Sequence, residues 1–149
     1  MGRVVAGVIA GYVVMLAVIF VGSTLAWMAL GPNGAFLPGT YQTTMIWVGI
    51  SLAVSLFAAV LGGFACAAVS RRDPRATRGL VGLVVVLGVL FAVPVLMRAP
   101  DGAERPDVVT MQAAMQHARQ PVWVALLLPL LGAAGAVLGA GMRKRASIT

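Results

Sequence analysis

VVAGVIAGYVVMLAVIFVGSTLAWMALGPNGAFLPGTYQTTMIWVGISLAVSLFAAVLGGFACAAVS, residues 4–70, contains no Asp, Glu, Lys, Arg or His. A water-soluble domain needs charge on its solvent face, so an uncharged stretch of this length belongs in lipid. The stretch divides into two apolar runs, Val4–Met28 and Met45–Val69, parted by the turn signals Gly31-Pro32-Asn33-Gly34 and Pro38-Gly39. Each run exceeds the ~20 residues that cross ~30 Å of hydrocarbon as a helix.

Working outward, two further runs follow, Gly79–Met97 and Pro121–Met142. No alternating strand pattern accompanies them. Helices are therefore the only form that satisfies every backbone group inside the membrane. The fold class is an all-α integral membrane protein, one domain over residues 1–149, built as a four-helix transmembrane bundle. Loops are expected at 29–44, 70–78 and 98–120. A composition of 60% hydrophobic and 10% charged residues agrees with this class. The first run is too long for the 7–15-residue core of a signal peptide, so helix 1 is expected to be retained.

Charge orients the bundle. Arg3, Arg71, Arg72, Arg75, Arg78, Arg143, Lys144 and Arg145, with Asp73, fall at one end of the helices. At the other end, the loop at 29–44 is uncharged, and Arg98, Arg105 and Arg119 balance Asp101, Glu104 and Asp107. The whole formal charge of +7 thus sits on one face. By the positive-inside rule both termini are cytoplasmic, an N-in/C-in topology. A pI near 11.4 can signal nucleic-acid binding. Here the basic residues are short helix flanks that touch anionic headgroups, so membrane lipid is the expected partner and nucleic acid is not.

Trp27, Trp47 and Trp123 fall at the external helix ends and with Tyr41 read as an aromatic belt facing the interface, with Phe36 and Leu37 dipping back toward it. In the second external loop, Asp107 can cap a short helix through about Arg119. Its Val108, Met111, Ala114, Met115 and Ala118 share one face, which makes it amphipathic and makes Val108, Met111 and Met115 possible partner contacts.

Helix 2 carries two small-residue ridges. Ser51, Ser55, Ala59, Gly63 and Ala67 recur every four residues, with Ala58, Gly62, Cys66 and Ser70 beside them. Helix 1 adds Gly7-xxx-Gly11 and helix 4 adds Gly135-xxx-Gly139. Small residues let helix backbones approach where lipid supplies no hydrophobic drive for association. These are the expected helix-packing positions, and helix 2 is expected to be the most buried. Self-association or another membrane protein is a further use of such ridges. Pro94 and Pro129 leave the carbonyls of Leu90 and Ala125 short of a donor and are expected to kink helices 3 and 4.

The spans hold no acid, base, paired cysteine or intramembrane histidine. The lone Cys66 reads as a small packing residue, and Tyr12, deep in helix 1, is expected to bond a neighbouring helix. No catalytic residue, metal ligand or cofactor is expected, and no enzyme. In size the chain resembles the small four-helix multidrug transporters. That family relies on a glutamate in its first helix, and helix 1 here has none. Its general look is similar to that of small bacterial inner-membrane proteins, which places it in the bacterial cytoplasmic membrane as a multi-pass protein. Two functions are in view. The first is a non-catalytic accessory or scaffolding subunit of a larger membrane complex. The alternative is a small permease, channel or lipid-handling protein with a neutral pathway between Pro-kinked helices.

Overall fold

The computed structural model describes residues 1–97, 112 and 117–145, with side chains to Met142. Four helices account for nearly all of them: α1 (Gly2–Ala35), α2 (Met45–Val69), α3 (Pro74–Met97) and α4 (Val122–Arg145). Each is long and apolar enough to cross a membrane, with mean hydropathy of 2.8, 2.3, 2.9 and 2.2 in turn. Among the described residues Val108, Met111 and Met115 do not figure, and the expected amphipathic helix lies almost wholly outside them. Gln112 and His117 are helical, but Ala118–Pro121 is non-helical chain leading into α4.

Two boundaries differ from those read in the sequence. Helix 1 ends not at Met28 but at Ala35, with a break at Gly31, whose φ of 62° and ψ of −175° suit only glycine. Pro32 then opens a last short turn, where its missing N–H leaves no bond unmade. Helix 3 starts at Pro74 rather than Gly79. Asp73 accepts the Arg75 N–H at 2.9 Å and Pro74 takes the first helical position. The connection from α2 is therefore tight: Ser70 donates to the Cys66 carbonyl and Arg72 to that of Ala67, each at 3.0 Å. Arg71 and Arg72 sit at φ of 53° and 67° to make it. α3 and α4 run through Pro94 and Pro129 as single helices.

α2 is two-sided. Its Gly62–Cys66–Ser70 ridge meets α1: a methyl on Gly7 would stand 2.8 Å from Ser70 Cβ, and one on Gly11 would stand 2.7 Å from the Gly62 carbonyl oxygen. Its other ridge meets α4. Gly63 lies against the Ala136 backbone, Gly139 against Val60, and a methyl on Gly135 would be 2.6 Å from Ala59 Cβ. Backbones this close gain dispersion and Cα–H···O contacts that side chains would prevent. α3 closes the bundle mainly on α4, where Pro129 packs on Gly88 and Val84 on Gly132. Around the bundle the order is α1, α2, α4, α3. α4 is slightly more buried than α2, 39% against 33% of its most apolar window, so helix 2 shares the interior rather than owning it. The core proper gathers Met15, Ala59, Cys66, Ala76, Leu80 and Ala136.

Candidate functional site: a roofed cavity between the helices

The tight seams hold the bundle together at its basic end. Toward the opposite end the helices enclose a cavity of about 620 Å3. Its floor and walls come from Tyr12, Met15 and Ser23 on α1, Ser51, Ser55 and Ala59 on α2, Val84, Gly88, Phe91 and Ala92 on α3, and Ala125, Pro129 and Gly132 on α4. The size falls within the ~300–1,000 Å3 of ordinary small-molecule sites, and so does a mostly apolar lining with a few polar groups.

The roof is built by the loop after α1. Phe36 follows the Pro32 turn in extended backbone, and Pro38-Gly39 turns the chain with Gly39 at φ 70° and Thr40 donating to the Leu37 carbonyl. Phe36 then bridges Thr43, and Gln42 bridges Arg119. The Arg119 carbonyl accepts from Thr43 N at 3.0 Å and Thr43 Oγ1 at 3.1 Å, while Arg119 N donates to Tyr41 O at 2.9 Å. Thr44 Oγ1 donates to the Gly34 carbonyl at 2.6 Å and accepts the Trp47 N–H at 3.1 Å, which ties the end of α1 to the start of α2.

Under this strap lies an aromatic cluster. Trp27 meets Trp47 edge to face at 6.1 Å and Phe36 at 6.2 Å, Phe36 meets Tyr41 at 5.8 Å, and His117 covers Tyr41 at 5.1 Å. Such edge-to-face pairs are favoured by the ring quadrupoles. This corrects the belt read in the sequence. Of its members only Trp123 is exposed, whereas Tyr41 is buried and Trp27 and Trp47 turn inward to line the cavity. Phe36 is likewise buried in the cluster rather than at the interface, while Leu37 stays exposed.

Floor and side are different. α1 and α3 touch near the basic end, where Val8 faces Gly79 and Leu80 lies under Gly11. Farther along, the exposed members of the lining are Leu16, Ile19 and Phe91, at 49%, 38% and 68%, all on α1 and α3. The cavity therefore opens sideways, between these two helices, toward what would be the hydrocarbon of a bilayer.

Its polar lining is the hydroxyls of Tyr12, Ser23, Ser51 and Ser55 with the Gln120 amide. Ser23, Ser51, Ser55 and Tyr12 make no hydrogen bond to another described residue. Tyr12 thus does not bond a neighbouring helix as expected; its ring lines the cavity instead. Pro129, lacking an N–H, also leaves the carbonyl of the lining residue Ala125 without its helical donor.

The residues singled out in the sequence separate into two groups. Gly7, Gly11, Gly62, Ala59, Gly63, Gly135 and Gly139 lie in the α1–α2 and α2–α4 seams, and buried Cys66 stands against Gly11. Ala67 is buried at the basic end of α2. Ser51 and Ser55 continue the same ridge but face open space, because α1, α3 and α4 have diverged at that height. Ser23 and Gln120 belong to the cavity too, and only the presence of a hydroxyl or amide near an apolar run marks them in the sequence. Comparison with protein-family models, with curated proteins and with solved structures yields no match, so the cavity's chemistry is read from its own residues.

Proposed function

We propose that this is a non-catalytic, lipid-handling membrane protein that holds a lipid-like molecule in the roofed cavity. The observation that carries the reading is the cavity itself. It is about 620 Å3, mostly apolar with a few polar groups, covered by the strap above and open at the side between α1 and α3. A bundle whose task was only to scaffold would gain by filling the space with side chains. Of the two functions expected from the sequence, lipid handling therefore takes precedence over the accessory subunit. The orientation we adopt places the basic end in the cytoplasm of a bacterial cell and the aromatic roof outside, on the strength of the charge asymmetry.

Two experiments test this. Ser55→Phe with Ala92→Phe should fill the cavity from opposite walls. Native mass spectrometry after mild detergent extraction should show a lipid-sized adduct on the unaltered protein and none on the filled variant, which should melt no lower. Equal adducts on both would move the ligand elsewhere and overturn the reading. For the orientation, reporter fusions after residues 75 and 145 should report cytoplasm and one after residue 35 the outside. An external fusion at 145 would refute it.

A further inference from the structure

Resting on that cavity reading, we infer that the bound molecule is a neutral amphiphile. Its hydroxyl or carbonyl end seats among Ser23, Ser51 and Ser55, and it enters from the bilayer between α1 and α3.

Four observations converge on it. The first is the placement of the three serines. Gly22 packs on Val54, with a methyl there only 2.7 Å from Val54 Cγ1, which sets Ser23 level with Ser51 and Ser55 to within about one 5.4 Å turn. Trp27 and Trp47 stand one turn above, on the same helices. The polar patch therefore lies directly beneath the roof, with the apolar floor below it. The second is that these hydroxyls have no partner among the described residues. The three serines are half-buried, and their oxygens are open to the cavity, where a ligand oxygen can accept from them or a ligand hydroxyl donate to them.

The third is charge. No acidic or basic side chain is among the described residues that line the cavity. A carboxylate or phosphate seated among the serines would be a desolvated ion with no charged partner in the described lining, a poor exchange for its hydration. A neutral head loses much less. The fourth is the shape of the opening. The roof is closed by Phe36 and Tyr41, 3% and 7% exposed, and the exposed walls face sideways. Entry from water crosses the strap, whereas entry from lipid crosses only Leu16, Ile19 and Phe91. About 620 Å3 takes one lipid head with part of its chain, the rest extending through the side opening.

The test uses Trp27 and Trp47 as reporters in a Trp123→Phe background, in nanodiscs of unbrominated phosphatidylcholine. Three dibrominated probes of equal chain length are titrated: a fatty alcohol, an alkane, and a fatty acid as its anion. The alcohol should quench saturably at about tenfold lower mole fraction than the alkane, from hydrogen bonds of ordinary net strength. The anion should be weaker than the alcohol. Ser23→Ala with Ser51→Ala and Ser55→Ala should erase the alcohol's advantage and leave the alkane curve in place, which also shows that the variant is folded. If the triple variant keeps the advantage, or the anion matches the alcohol, the inference is overturned while the cavity reading stands. If no probe quenches the protein more than it quenches the Ser55→Phe and Ala92→Phe variant, the cavity reading falls and the inference falls with it.

Discussion

Leucine in place of Gly63 or Gly139 should leave little folded protein. At both positions a side chain would meet backbone of the neighbouring helix: the Ala136 peptide for Gly63, and Val60 with the Phe64 nitrogen for Gly139. Backbone cannot move aside as a rotamer can, so the cost belongs at or above the top of the ~1–3 kcal/mol typical of overpacking. Both substitutions would part α2 from α4, the two most buried helices. Gly49→Leu and Gly82→Leu are the matched controls, because a methyl at either meets nothing within 4 Å. These two should be neutral or slightly stabilising, since leucine is the better helix former by about 0.8 kcal/mol. Thermal unfolding in detergent, followed by circular dichroism, separates the two pairs. Equal losses for all four would mean that the α2–α4 seam does not hold the bundle.

The second large effect is expected at the roof. Phe36→Ala removes a side chain that is 3% exposed and stacked edge-on against both Trp27 and Tyr41. Truncating a buried phenylalanine costs about 3–5 kcal/mol. The consequence for function is separable from that for stability. Phe36 stands between the cavity and the aqueous loops, so its loss should admit water. Acrylamide quenching of Trp27 and Trp47, with Trp123 replaced by Phe, should rise well above that of the parent protein. Unchanged quenching in a variant that still folds would show that the barrier lies elsewhere in the strap, in Tyr41 or the Thr43–Arg119 pairing.

How far the site was legible follows from what each residue type encodes. The seams were legible because close backbone approach demands small side chains at a four-residue spacing, and few other uses of Gly7-xxx-Gly11 or Gly135-xxx-Gly139 compete. The early start of α3 was legible in principle. Asp73-Pro74 is a helix-opening pair, but among four arginines it reads equally as a turn. The tryptophans misled for a physical reason. An indole at a helix end is stable both at the lipid interface and in a packed cluster, and the choice depends on which way the helix is rotated. Trp27 and Trp47 are turned inward by the same rotation that puts Gly22 against Val54, while Trp123 stays exposed. Ser51 and Ser55 were ambiguous in the same way. They carry the spacing of a packing ridge, yet whether a ridge position meets a helix or a void depends on how far the neighbours have diverged.

The sequence by itself determined the medium and the elements. A charge-free run from Val4 to Ser70 has no stable place in water, and once it is in lipid the backbone has no alternative to helices. It also determined where helices can touch, since only glycine, alanine and serine permit that approach. Tertiary structure alone decided where they do not touch. A cavity is the space left when α1 and α3 meet at Val8–Gly79 and then separate. No residue encodes it, because it arises from the crossing of two helices whose own residues look like any lipid-facing surface. The roof is decided in the same way, by pairing between Tyr41–Thr43 and Arg119, segments far apart in the chain whose hydrogen bonds run through backbone groups that every residue carries.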